Sequence, residues 1–528
     1  MLTTRWLRGL ALSMLLVLAP AVIPSWALAQ TGEGAGRPVV GARSLGDPLL
    51  PQLGNGGYDV QHYTIELEYD PVANHFDRAK TTINAVASEK LKEFSLDFQD
   101  ALGVVKVTVD GRDAQFRFEA ATPQLSTDPT VTQPMKLVVR PQASTRPKAG
   151  RPFTIAVRYQ GTPQAITDPD TSIEGWIQAC FPLNPPRTCD GAFVVNEPMG
   201  AQSWFPSNNY PTDKATFDTI ITVPSAKTAL GVGELVSRRE NGDGTTTWHW
   251  HEDDPTATYL TTATVGDFIY TEGSMVESST GRALPVYNAI DSTASATQQA
   301  AINASLAQAP AQLNFLSGLF GPYPFDSTGA VADRAAGVGY ALEVQTKPHY
   351  AGGFTSGNPS INIGTQLHEL AHQWMGNSAT LQAWNDIWFN EGWATWSTWH
   401  WTHTQSGGDD PAAIFDDLYA TTPAEDWTIA PAVLDGDPAN LFVTFPTYTR
   451  GAMTLQGYRE IVGDEVFLQF TRTILEQFGH DNISTAEFIA LAVETSGFEG
   501  ERAELLGRYF QEWLYLESRP TILPEAFA

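Results

Sequence analysis

The sequence predicts an α+β protein in two parts, an all-β saddle or sandwich domain followed by a mostly α-helical domain. Three observations carry this. Apolar residues recur with period two between residues 57 and 270, they recur with helical spacing after about residue 285, and 528 residues leave room for two cores. Apolar residues make up 42% and charged residues 17%, the balance of a globular chain rather than a disordered one.

Residues 1–29 have the pattern of a signal peptide. Arg5 and Arg8 precede an apolar run from Leu10 to Trp26, and Ala27-Leu28-Ala29 fits a cleavage site before Gln30. An uncleaved membrane anchor is the alternative, but Pro20 and Pro24 interrupt a run already short for a spanning helix. The expectation is export, to the medium, the cell surface or the periplasm, with a mature form that does not span a membrane. Residues 30–56 are rich in Gly, Pro and small side chains and read as a tether or irregular lead-in.

Strands follow. Tyr63, Ile65, Leu67 and Tyr69 alternate with mostly polar residues, as do Val105, Val107 and Val109, which stop at the hairpin signal Asp110-Gly111. Phe153, Ile155, Val157 and Tyr159 repeat the pattern, and residues 216–224 and 245–252 add further strands. Cys180 and Cys189 flank a Pro-rich loop; in an exported protein the expected arrangement is a disulfide that staples it, with two free thiols as the alternative.

The second part, 271–528, turns helical. Pro310 predicts a break within the Ala-, Gln- and Leu-rich stretch that opens it, and residues 465–479, 485–497 and 501–517 read as three further helices. The net charge of -28 argues against nucleic acid or an anionic membrane as a partner.

The chemistry is concentrated in "HELAHQW" at 368–374. On a helix, His368 and His372 lie one turn apart on the same face and can direct two imidazoles at one metal. Glu369, beside the first, reaches a metal-bound water without binding the metal and can serve as general base. Two histidines on an exposed helix would do nothing by themselves. The third ligand is Glu391, 18 intervening residues beyond His372, in the aromatic stretch "WNDIWFNEGWATWSTWHW", which reads as a second, buried helix. A carboxylate there is costly unless paired or metal-bound. Two imidazoles and one carboxylate fit one Zn2+ per chain, with a fourth position left for water. His400 and His403 lie more than two turns past Glu391 and read as packing or surface residues, like His249, His251 and His349. Trp374, Trp384, Trp388, Trp393 and Trp396 read mainly as core around the two helices.

These residues resemble the aminopeptidase N-like zinc metallopeptidases, the gluzincins, which include leukotriene hydrolase. The resemblance runs from about residue 46 to the end and implies a thermolysin-like catalytic domain at 271–528 behind the β domain at 57–270. "GYALEVQT" (339–346) is similar to the family's exopeptidase motif Gly-x-Met-Glu-Asn, with Glu343 at its glutamate. "YTRG" (448–451) is similar to Tyr-x-Lys-Gly and makes Tyr448 the tyrosine that stabilises the transition state. In "EPMGAQSWFPSNNYPTDKATF" (197–217), Glu197 falls where the family contacts the amino end of its substrate. Tyr340, Leu342 and Val344 depart from the family's Gly, Met and Asn, Asn209 from its Asp and Arg450 from its Lys. The family's long C-terminal helical domain has no counterpart before Ala528, which implies a more open cleft. The function implied is a secreted zinc aminopeptidase acting on peptides with a free N-terminus. A zinc endopeptidase is the alternative, and epoxide hydrolysis or a binding protein without turnover has less behind it.

Overall fold

The computed structural model describes residues 37–182, 186–335, 337–352 and 358–528, so the expected signal peptide lies outside the described residues. Residues 38–528 make one unit. Its first part is built on an eight-stranded sheet. Strand Tyr58–Asp70 runs antiparallel to His75–Ala87, which leads through Arg151–Gly161 to Gly103–Val109; on its other side Ala215–Pro224 runs parallel to it. Strand Thr245–Thr256 continues this sheet antiparallel. Tyr63, Ile65, Leu67 and Tyr69 all face the core, as period-two alternation requires. The valine run differs. Val107 and Val109 are buried, but a bulge between Val104 and Lys106 turns Val105 out to 61% exposure. The hairpin expected at Asp110-Gly111 is present, both residues having positive φ (48° and 72°), as a type I′ turn demands.

A five-stranded sheet packs nearby, with the hairpin Ile173–Phe181 and Thr188–Val195 at its centre. Cys180 and Cys189 face each other across this hairpin and form a disulfide. The end of the second strand delivers Glu197.

The lead-in is irregular where described apart from the short strand Val39–Val40, which pairs with Leu91–Asp97, and it is packed down rather than a tether. Leu49, Leu50 and Leu53 are buried. The buried Asp47 takes the backbone N–H groups of Leu49 and Leu50 on one oxygen, and the Tyr210 hydroxyl and the Trp384 N–H on the other. One carboxylate thus joins the lead-in to both parts of the chain.

The second part contains a sheet that helical spacing did not reveal. Strands Phe268–Val276, Ala283–Asp291, Thr328–Asp333, His349–Ala351 and Ala341–Leu342 form it. Phe268–Val276 crosses the expected boundary at 270/271. Around it pack helices α1 (Ala296–Leu306), α2 (Ala309–Phe320), α3 (Ile363–Ala371), α4 (Trp388–Ser406), α5 (Pro411–Thr421), α6 (Gly451–Val462), α7 (Asp464–Phe478), α8 (Thr485–Thr495) and α9 (Gly500–Tyr515). The break predicted at Pro310 separates α1 from α2, whose first turn holds the proline. None of the described helices is long and apolar enough to cross a membrane.

Two features set the position of the site. Helices α4 and α6 touch at glycines: a Cβ on Gly392 would lie 2.9 Å from the backbone of Gly451. That contact brings Glu391, one residue before Gly392, close to Tyr448, three before Gly451. The second feature is Arg450, fully buried and paired only with carbonyls. It donates to Trp513 (2.9 Å), Glu512 (2.9 Å) and Leu516 (2.7 Å) at the end of α9, and to Trp427 (3.2 Å). It closes the C-terminus of α9 and fixes the turn that carries Tyr448. Arg450→Met leaves these carbonyls without a donor and is expected to cost about 3 kcal/mol or more. A lowered urea midpoint, with Lys at the same position recovering part of the loss, is the measurement that checks it.

Candidate active site and metal centre

Helix α3 starts at Asn362, whose side chain accepts from the N–H groups of Gly364 and Thr365 (2.8 and 3.1 Å). The cap sets the phase of the helix and therefore the direction of its histidines. His368 and His372 face Glu391 in the first turn of α4: Nε2 of His368 is 2.9 Å, and Nε2 of His372 3.5 Å, from the same Glu391 oxygen. The three ligand atoms lie within 4.8 Å of one another. Nδ1 of His372 is engaged by the Met375 carbonyl (3.2 Å), which leaves Nε2 free to face the centre.

The electrostatics of the site call for a cation. Burial opposes a charge on His372, but the Glu343 and Glu391 carboxylates outweigh it and lift its pKa to about 10. Burial would raise Glu391, yet the charge of His372 and the hydrogen bonds from both imidazoles hold it down near 2. Two imidazoles and a carboxylate that converge on one point and attract positive charge fit a zinc ion.

Glu369 points into the same cavity and is 5% exposed. Burial, and then the charges of Glu343 and Glu391, push its pKa well up against the opposing pull of His372. Tyr448 stands in a widened helical turn, Thr444–Arg450, that runs straight into α6. Its ring lies 6.0 Å from that of His368, nearly parallel. Burial and the surrounding carboxylates, Glu391 first, keep the phenol protonated and able to donate.

Glu343 and Glu197 complete the cavity, which has a volume of about 550 Å³. Glu343 is buried and Glu197 half-buried, and each has one buried carboxylate oxygen without a hydrogen bond among the described residues. Burial and mutual repulsion raise the pKa of Glu197. Two residues that the motif reading passed over hold Glu343 in place. The side-chain amides of Gln373 and Asn377 donate to its backbone carbonyl (3.1 and 2.7 Å). Both lie just past His372, so the metal helix and the exopeptidase segment are tied together. Tyr340, one of the departures, donates its hydroxyl to the carbonyl of Ile173 (2.7 Å) and pins the same segment to the β domain.

The other histidines stay away from the centre. His249 and His251 bond to Asp218 on the large sheet, His349 sits against Thr262 and Thr264, His400 stacks on Trp396 and His403 reaches the Gly408 carbonyl. Trp374, Trp384, Trp388, Trp393 and Trp396 are core, each at most 1% exposed. The indole that lines the cavity is Trp399, together with Thr395, Thr398 and Phe442. None of these four carries a sequence signal that would single it out.

Two sequence profiles match the chain, the peptidase M1 N-terminal domain over residues 59–260 and the peptidase family M1 domain over 358–513. The second contains His368, His372, Glu391 and Tyr448. The chain belongs to the peptidase M1 family. Within this M1 family it is 27% identical over 330 residues to aminopeptidase M1-C of Oryza sativa subsp. japonica, covering 59% of this chain and 36% of the rice protein. A 141-residue stretch is 28% identical to the alanine/arginine aminopeptidase of Saccharomyces cerevisiae, covering 25% of this chain and 16% of that one. This M1 chain therefore spans little more than a third of the rice relative. Among solved structures, the M1 zinc metallopeptidase of Deinococcus radiodurans superposes with a TM-score of 0.72 at 25% identity, over 90% of this chain and 99% of that one. A mutant of the same protein bound to Tyr-Ser-Ala gives 0.73 at 25% identity over the same shares.

Proposed function

We propose that this M1 chain is an exported zinc-dependent aminopeptidase that removes the first residue from peptides. The observation that carries the reading is one cavity holding the His368, His372, Glu391 constellation and two further carboxylates, Glu197 and Glu343, each with a buried oxygen that has no hydrogen bond among the described residues. Zinc held by the three ligands supplies a Lewis acid that acidifies water and polarises a carbonyl.

The residues of the chain divide the rest. An ammonium group between Glu197 and Glu343 relieves their repulsion and takes up their free oxygens, which fixes the substrate by its amino end. The Glu343 carboxylate lies within 4.8 Å of the nearest ligand atoms of Glu369 and His372, so an amino end held there puts the first peptide bond beside the metal ligands and cleavage follows the first residue. Glu369 accepts a proton from the attacking water and passes it to the departing amine. The phenol of Tyr448 donates a hydrogen bond to the developing oxyanion. The relatives named aminopeptidase and the neighbour crystallised with Tyr-Ser-Ala support a peptide as substrate. The signal-like residues 1–29 support export, with cleavage after Ala29.

Zinc removal and return is the test. A chelator is expected to abolish release of free amino acid from a short peptide, and one equivalent of zinc per chain to restore it. Release that persists at full rate in the zinc-free protein, or that needs two equivalents, contradicts the one-metal site.

A further inference from the structure

We propose that Asp170 is a specificity-determining residue that favours peptides beginning with a basic residue, Lys or Arg; this rests on the aminopeptidase reading above. The cavity has two unlike ends. Besides the metal ligands and Glu369, α3, its cap and α4 contribute uncharged groups: Asn362, Thr365, Thr395, Thr398 and Trp399. Toward the β domain it is walled by Glu197, Asp170, Ser172 and Tyr340. Among the described residues, no Lys or Arg lines it.

The carboxylates divide by task. Glu391 faces the metal position, Glu369 the water, and Glu197 and Glu343 the ammonium group. Asp170 is left over. It sits at the tip of a tight turn closed by two backbone bonds, Thr171 N–H to the Asp168 carbonyl (2.9 Å) and Asp168 N–H to the Ser172 carbonyl (3.0 Å). Oδ1 of Asp170 accepts both the N–H (2.9 Å) and the hydroxyl (2.7 Å) of Ser172. Oδ2 has no hydrogen bond among the described residues. The side chain is thus oriented from within its own turn and, being exposed, keeps one oxygen open at the mouth of the cavity.

Its surroundings suit a long cationic side chain. Phe442 borders the cavity and also shares a small recess with Asp170, and Tyr340 lines the same end, held there through Ile173. Aromatic faces take up an alkyl stem or a guanidinium plane while a carboxylate pairs with its charged tip. Asp170 lies on the same wall as the amino anchor Glu197. Because Asp170 and the amino anchor Glu197 line one cavity, the side chain of the first residue is the part of the peptide assigned to Asp170.

The test compares fluorogenic amides of Arg, Lys, Leu, Ala and Glu on the zinc-loaded full chain. Wild type is expected to show the highest kcat/KM for Arg and Lys. Asp170→Asn is expected to lower kcat/KM for these two about fivefold to tenfold and that for Leu and Ala far less, with Asp170→Glu recovering most of the loss. Asp170→Lys moves the preference toward Glu. Equal losses on all five amides, or an Arg-to-Leu ratio that Asp170→Asn does not change, overturns the assignment. Thermal unfolding of each variant separates a lost fold from a lost contact. If the wild type releases the fluorophore from none of the amides, the aminopeptidase reading itself fails, and this assignment with it.

Discussion

Glu369→Gln is expected to lower kcat by about three to four orders of magnitude, with the fold and the zinc content unchanged. The substitution keeps the shape of the side chain and removes only its capacity to take a proton. Glu369 is proposed as base and not as ligand: its carboxylate groups with Glu343 and His372, whereas the two imidazoles of His368 and His372 converge with Glu391. The carboxylate is buried among other carboxylates that hold its pKa high. Zinc held by the three ligands would add positive charge beside it and oppose that rise, favouring the carboxylate form that takes a proton. The metal and the base therefore depend on each other. Zinc content by elemental analysis, read alongside kcat, separates the two roles. A variant that loses zinc would show that Glu369 helps to hold the metal; a variant that keeps both zinc and rate would show that another group moves the proton.

Tyr448→Phe is expected to cost about 100- to 1000-fold in kcat with little change in KM. The phenol donates only to charge that develops during the reaction, so the ground-state complex does not need it. Its position is set from two sides. Arg450 anchors the turn to α9, and the Gly392–Gly451 contact lets α6 approach α4. Gly392→Ala, placed 2.9 Å from backbone, should therefore shift Tyr448 relative to Glu391 without touching either residue. Were Tyr448→Phe to raise KM and spare kcat, the phenol would be a substrate contact rather than an oxyanion donor.

Much of this architecture is legible in the residues because local pattern and environment agree. Tyr63 to Tyr69 alternate, and one face of their strand is core. Helical spacing places His368 and His372 together, and the cost of burying Glu391 among tryptophans points to a partner. The unread parts have physical reasons. The sheet at 268–351 escaped notice because its strands are short or lack alternation: Ala283–Asp291 carries a Pro and an Asn, and Ala341–Leu342 is two residues long. Val105 turned outward because a bulge adds one residue to its strand, which reverses every side chain before it. The lead-in looked like a tether from its Gly and Pro content. What orders it is Asp47, whose partners Tyr210 and Trp384 lie far along the chain. Gln373 and Asn377 act on a backbone carbonyl 30 or more residues away, and no local pattern reports such a contact. Arg450 stands in place of the family's Lys, and its planar fork spans several carbonyls, a task for which an ammonium group has the wrong shape.

The most direct measurement of the central claim is a paired digestion. One short peptide has a free amino end and its twin is N-acetylated, with products followed by mass. The account predicts that the free peptide shortens one residue at a time from its amino end, that the acetylated twin survives, and that Glu343→Ala narrows the difference. Internal cleavage of both peptides at similar rates would contradict it, because Glu197 and Glu343 would then not be holding an ammonium group and the protein would be an endopeptidase.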